Sequence, residues 1–247
     1  MRYFYIQPRA ITGKKALIAP PDAGHIQKVL RMKAGDPVGL LDGEGFEYHA
    51  RIEAFLNQGV AAVIENRFPC TTESALHLTL AQGFLKEAKM DDLVRQLTEL
   101  GVNRWIPFMA ERSIPKPDEK QLARRTARWQ TISREAIKQC RRGRFLEIEG
   151  PVSFHDMVLS AKGSDLKLLF WEEETRPLRE INASLESGPV TSAFIVIGPE
   201  GGLTPGEVDQ ARAAGFYVAG LGPRILKAET AALAACSVVQ HLFGDLG

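Results

Sequence analysis

The sequence predicts an α/β protein in two parts: a small β-rich unit over residues 1–70, then a larger domain over residues 74–247 in which strands and helices alternate. Three observations carry this. The first 70 residues hold several short apolar segments separated by turn signals, as in a small barrel or half-barrel. After residue 74, strand-length apolar segments alternate with segments that are apolar at helical spacing, which marks an α/β sheet. One stretch, residues 191–207, reads TSAFIVIGPEGGLTPGE, which is a buried strand, a glycine loop and a helix start.

In chain order, Asp22 is placed to cap a short helix with Ala23, Ile26, Val29 and Leu30 on one face. Residues 38–41 and 46–52 read as strands around Asp42-Gly43-Glu44-Gly45, a hairpin signal. Phe46, Tyr48, Ala50 and Ile52 alternate, so one face is buried, and residues 60–64 form a further strand. Arg2, Arg9, His25, Lys28, Arg31 and Lys33 precede the hairpin; by composition alone they are a solvated face. Residues 69–74 read as a linker.

Residues 76–81 then alternate as a strand. A helix follows with Met90, Leu93, Val94, Leu97 and Leu100 on one stripe and Gly101 as its stop. Residues 102–108 are the next strand, and Ile114-Pro115-Lys116-Pro117 is a stiff loop. The helix after it buries Leu122, Trp129, Ile132, Ala136 and Cys140, with Arg124, Arg128, Lys138 and Arg142 pointing elsewhere. Residues 112–144 hold eleven basic residues against three acids, although the whole chain carries only +1. A solvated amphipathic helix normally mixes both signs, so this span reads as a surface facing a polyanion.

Residues 166–170 form a buried strand ending at Trp171 and three glutamates. Residues 193–197 are apolar without interruption, as in a strand buried on both faces. Gly198-Pro199-Glu200-Gly201-Gly202 cannot continue that strand, because Pro199 lacks an amide donor and the glycines permit positive φ. Thr204, Pro205 and Glu207 are a helix start with a capping box. A helix to about Ala214, stopped by Gly215, leads to a strand over residues 216–221, a second glycine turn at Gly220-Leu221-Gly222-Pro223, and an alanine-rich last helix over residues 229–243. Two glycine loops beyond strand ends face one cleft, where open α/β sheets bind ligands. Neither is a P-loop or GxGxxG. The loops suit a nucleotide or a nucleoside-like cofactor, and the carboxylate of Glu200 exceeds what a purely steric turn needs.

Three dispersed cysteines without CxxC, and five scattered histidines, argue against a disulfide framework or a metal site and for a reducing compartment. The N-terminal residues lack the apolar core of a signal peptide, and no apolar run reaches membrane-spanning length, so a cytoplasmic protein is expected.

His25-Ile26-x-x-Val29-Leu30-Arg31, Lys86-x-x-Lys89-Met90, Glu99-Leu100-Gly101-Val102, Glu111-Arg112-Ser113, Gln139-x-x-Arg142, the Ile197–Gly202 loop and the run from Leu221 to Ala231 occur in order along the chain. Together they resemble the RsmE family of small-subunit ribosomal RNA methyltransferases. The resemblance implies a SPOUT-type methyltransferase domain with a C-terminal trefoil knot, preceded by a PUA-like RNA-binding domain. It also implies a homodimer, S-adenosylmethionine as cofactor, no metal, and methylation at N3 of a uridine in 16S rRNA, in the decoding region of the small subunit. Carried onto this chain, it implies that Gly198, Pro199, Glu200, Gly201, Gly202, Leu221, Gly222, Ile225, Leu226, Glu229, Thr230 and Ala231 hold the cofactor. Arg9, His25, Arg31, Lys86, Arg134, Gln139, Arg142 and Lys227 are the implied RNA contacts, and Glu200, Arg112 and Arg224 the catalytic candidates. Gln96, the segment Lys138-Gln139-Cys140-Arg141-Arg142, Leu146 and Lys227 depart from the usual family residues. Ribose 2′-O-methylation and a non-catalytic ribosome-assembly role are the alternatives; product nucleoside analysis separates the first, and the intact glycine loops weigh against the second.

Overall fold

The computed structural model describes residues 1–86, 88–114, 117–185 and 188–247. The described residues form two compact units, Met1–Glu73 with Arg134–Phe145, and Ser74–Ser133 with Leu146–Gly247.

The first unit is built on β1 (Arg2–Tyr5), β2 (Ile11–Thr12), β3 (Lys15–Ile18), β4 (Pro37–Leu41), β5 (Phe46–Leu56) and β6 (Gly59–Pro69), in the order β1-β4-β5-β6-β3-β2. β4 and β5 pair antiparallel across the expected Asp42–Gly45 turn, where Asp42 Oδ1 accepts from the amides of Glu44 and Phe46. Register shifts within the β5–β6 pair bend the sheet around a core of Val38, Leu40, Tyr48, Ala50, Ile52 and Ala62. β6 runs to Pro69, so the expected linker starts later than the composition suggested.

The helix at Asp22 differs from expectation. α1 (Asp22–Gly24) passes directly into a π turn, His25–Val29, and no side chain caps it. The carboxylate of Asp22 instead accepts from Lys138 at 2.8 Å. The wider π turn rotates Val29 off the apolar face, leaving it 65% exposed while Ala23 and Ile26 stay buried.

The second unit runs β7 (His77–Gly83), α2 (Ala88–Glu99), β8 (Arg104–Met109), α3 (Glu119–Cys140, whose last turns belong to the first unit), β9 (Glu147–Ile148), β10 (Val152–Ser153), α4 (Phe154–Ser160), β11 (Leu166–Phe170), α5 (Leu178–Ser184), β12 (Ser192–Ile197), α6 (Pro205–Ala213), β13 (Tyr217–Ala219) and α7 (Ala228–Phe243). The main strand order is β10-β8-β7-β12-β11-β13, all pairs parallel. β12 lies at the centre of this sheet. Its Ala193, Ile195 and Ile197 join one core with Leu93, Val94 and Leu97 of α2, Trp129 of α3 and Ala232, Ala235 and Val239 of α7. Its Phe194 and Val196 join a second core with Met157 of α4 and Val208 and Ala211 of α6. Burial on both faces is what the unbroken apolar run of residues 193–197 demanded.

Parallel pairing puts the carboxyl ends of β7, β11, β12 and β13 along one edge. The loops leaving those ends build the site.

Candidate active site

A cavity of about 540 Å³ opens there, lined by Phe170, Trp171, Glu172 and Glu174 after β11, Ile197–Pro199, Glu200 and Gly202 after β12, the loop from Leu221 to Lys227 after β13, Ala228 and Ala231 of α7, and Lys89 of α2. The two glycine loops expected to face one cleft do so. They leave non-adjacent strands, since β11 lies between β12 and β13.

The β12 loop is held from below and from the side. A Cβ on Gly83 would strike the backbone of Pro199, and fully buried Gln82 donates to the Gly198 carbonyl at 3.1 Å. Gly202 has φ of +70°, and a Cβ there would strike Glu172 Oε1. A Cβ on Gly201 would come within 3.1 Å of Arg112 Cβ, and the Arg112 guanidinium donates to the Gly201 carbonyl at 3.4 Å. Glu207 closes its capping box with Thr204 and, through its other oxygen, accepts from the Glu111 amide at 2.9 Å. The helix cap therefore also ties the Arg112 loop to the glycine loop.

Charge at the cavity is distributed unevenly among its acids. Lys89 Nζ donates to Glu200 Oε1 at 2.8 Å and faces the buried Glu229 Oε2 at 3.4 Å. The Glu200 carboxylate holds the Lys89 ammonium above the usual lysine range. Glu174 accepts from the amides of Thr175 and Arg176 and from Arg212 at 3.2 Å, and the Arg176 amide leads in holding its carboxyl below the usual range. Glu172 makes no hydrogen bond or ion pair among the described residues.

Of the residues expected at the cofactor, Gly198, Pro199, Glu200, Gly202, Leu221, Gly222, Ile225, Leu226 and Ala231 line the cavity; Gly201, Glu229 and Thr230 are not on its wall. Arg224 lines it too, as does Lys227, which was expected to face RNA. Lys89, Phe170, Trp171, Glu172, Glu174 and Ala228 were not anticipated there. The apolar run ending in three glutamates was the available signal for Trp171 to Glu174.

The basic span is less free than its composition implied. Arg142, expected to contact RNA, is 2% exposed and bonds the Glu73 carboxylate at 2.9 Å. Lys138 pairs with Asp22 and Glu135, and Arg128 with Asp91 at 2.6 Å. Their counter-charges lie mostly outside residues 112–144, so a charge count within that window missed them. Arg9, His25, Arg31, Arg134 and Gln139 of the first unit and Lys86 of the second are exposed; Arg134 also lies over the rings of Tyr5 and Phe145. Pro115 and Lys116 of the expected stiff loop lie outside the described residues. Among the described residues no group of acids, histidines and cysteines is arranged to hold a metal ion, and no helix is long and apolar enough to cross a membrane.

Residues 72–240 match the RNA methyltransferase domain, and residues 18–55 match the RNA methyltransferase PUA domain. The class is thus an RNA methyltransferase with a PUA domain ahead of its α/β domain. The chain is 31% identical to ribosomal RNA small subunit methyltransferase E of Bacillus subtilis, over 91% of this chain and 89% of that protein. The enzyme of the same name from Neisseria gonorrhoeae, solved bound to S-adenosyl methionine, superposes with a TM-score of 0.88 at 30% identity, covering 100% of both chains. A Legionella pneumophila chain solved with bound SAM also reaches 0.88, at 31% identity, covering 100% of this chain and 99% of that one. The chain belongs to the ribosomal RNA small subunit methyltransferase E family.

Proposed function

We propose that this protein transfers a methyl group from S-adenosylmethionine to N3 of a uridine in 16S rRNA of the small ribosomal subunit. The observation that carries the reading is the cavity enclosed by both glycine loops within the stretch matching the RNA methyltransferase domain. Its volume is in the range of small-molecule sites. Its residues fit the cofactor: Ile197, Leu226, Ala228 and Ala231 offer apolar surface to an adenine ring, and the buried indole N–H of Trp171 has no hydrogen-bond partner among the described residues. Glu174 and Glu200 suit a molecule bearing a sulfonium and an ammonium group. We assign Gly201, Glu229 and Thr230, which are not on the cavity wall, to the same cofactor site.

When bound, the cofactor supplies an electrophilic methyl on a sulfonium sulfur. The chain must do the rest. Uridine N3 carries a proton and lies on the pairing edge, so the base has to leave its stack. The proton must find an acceptor, and negative charge spreading onto the uracil oxygens must be held. Arg112 and Arg224 are both exposed beside the glycine loops and are the groups we assign to those oxygens or to a neighbouring phosphate. Glu200 Oε1 is engaged by the Lys89 ammonium at 2.8 Å, so we assign Glu200 to orienting the loop and the substrate.

We assign the first unit, with Arg9, His25, Arg31, Arg134 and Gln139, and also Lys86, to RNA contact, and residues 74–247 to cofactor binding and chemistry. The trefoil knot and the homodimer implied by the family belong to the same reading; half-exposed Val238 and Leu242 on α7 give a second copy an apolar face. The protein is expected to act in the cytoplasm. The test incubates small subunits lacking this modification with purified protein and labelled S-adenosylmethionine, then analyses nucleosides by mass spectrometry. N3-methyluridine in 16S rRNA is the expected product. Label on a ribose, or none with cofactor binding intact, would refute the target.

A further inference from the structure

Four carboxylates stand at the cavity or against its Lys89, and three are already engaged. Glu200 and Glu229 share Lys89, and Glu174 is occupied by two backbone amides and Arg212. Glu172 lines the same cavity, is exposed, and has no partner among the described residues. Its position is nevertheless defined: Oε1 lies where a side chain on Gly202 would begin, so the glycine loop makes room for this carboxylate. On the neighbouring Gly201, the Arg112 guanidinium donates to the carbonyl, and a side chain there would begin 3.1 Å from Arg112 Cβ. An anionic acceptor and a cationic donor thus stand on adjacent residues of one loop.

That pairing complements the edge of uracil, where an N–H donor lies between two carbonyl acceptors. We propose that Glu172 is the catalytic base, accepting the N3 proton while Arg112 donates to an adjacent uracil oxygen. This rests on the uridine-N3 reading above. In the step, the N3–H bond breaks and its proton moves to a Glu172 oxygen. The electron pair left on N3 forms the new N–CH3 bond. The S–CH3 bond breaks with its pair on sulfur, which becomes a neutral thioether. Glu172 then returns the proton to water. Glu172 makes no hydrogen bond or ion pair among the described residues, so its oxygens are open to the N3–H. The other charged groups on the cavity wall are Lys89, Glu174, Glu200, Arg224 and Lys227.

The test compares wild type, Glu172→Gln and Glu200→Gln in two measurements. Calorimetry with S-adenosylmethionine, in the absence of RNA, reads cofactor affinity; single-turnover transfer to unmodified small subunits reads chemistry across pH 6–9. Glu172→Gln is expected to bind the cofactor within about threefold of wild type, which also shows that the site is folded. Its transfer rate is expected to fall by about 10²–10⁴-fold and to rise tenfold per pH unit throughout, as hydroxide replaces the lost base. Glu200→Gln is expected to retain the wild-type pH profile. Transfer by Glu172→Gln within threefold of wild type, or cofactor affinity weakened tenfold or more, would overturn the assignment, the second by making Glu172 a cofactor ligand. Wild-type protein that binds cofactor but methylates no uridine N3 would overturn the underlying reading, and this one with it, and is distinguished because the defect then precedes any substitution.

Discussion

Gly202 is where the glycine loop after β12 and the acidic loop after β11 come into contact. Its φ of +70° is costly for a residue with a Cβ, and the position of that Cβ is taken by Glu172. Gly202→Ala therefore carries a backbone cost of about 1–2 kcal/mol and displaces either Glu172 or the loop. The expected result is at least tenfold weaker S-adenosylmethionine binding by calorimetry; unchanged affinity would show that the loop relaxes without harm. Arg142 poses the opposite question, since the family pattern suggested an RNA contact and the structure buries it against Glu73. Removing one partner of a buried pair strands the other charge, at a cost of about 3–5 kcal/mol. Urea denaturation of Arg142→Ala should show that loss. Arg31→Ala, at an exposed residue, should leave the urea midpoint in place and weaken RNA binding instead.

Among the elements, β12 derives its position from apolar alternation on both faces and from the pinning of its first residue. Asp165 Oδ2 accepts from the amides of Thr191 and Ser192 and from the Thr191 hydroxyl at 2.8–3.0 Å. These bonds, led by the Thr191 side chain, hold the Asp165 carboxyl below the usual aspartate range. A depressed folded-state pKa adds stability above the ordinary value of about 3.9, and that stability is lost as pH falls through the lower folded value. Asp165→Asn should therefore lower the urea midpoint at pH 7, with the gap to wild type narrowing at pH 3.5. A gap independent of pH would assign the effect to packing. α6 was legible in advance because its capping signal is local: Thr204, Pro205 and Glu207 lie within four residues of one another. The Asp22 helix was misread because the same local signals do not report a π turn, and because Lys138, 116 residues away, claims the presumed cap.

At the scale of the whole molecule, a ligand that binds only the folded α/β unit raises its stability by mass action. At 100 times its dissociation constant, S-adenosylmethionine should add about 2.7 kcal/mol. The unfolding transition of the unit that holds the cavity should shift upward with cofactor concentration in calorimetric scans. A transition indifferent to cofactor would place the binding site elsewhere. Binding of RNA through Arg9, Arg31, Lys86 and Arg134 should weaken steeply with salt, because phosphate neutralisation releases counterions. The slope should become shallower as each of these residues is replaced by alanine.

The sequence by itself determined the alternation of strands and helices, the buried central strand, the capped α6 and the two glycine loops. Each depends on periodicity or turn chemistry among residues a few positions apart, and such features survive into any fold that buries the apolar faces. Only the tertiary structure decided which charges are free. Glu200 is paired with a lysine 111 residues away, and Arg142 with a glutamate 69 residues away. Glu172, unremarkable in a run of three glutamates, is the one carried over Gly202. Ion pairing acts over a few ångströms between side chains that the chain brings together only after folding, so linear charge patterns overstated the basic surface and gave no sign of the unpaired carboxylate at the site.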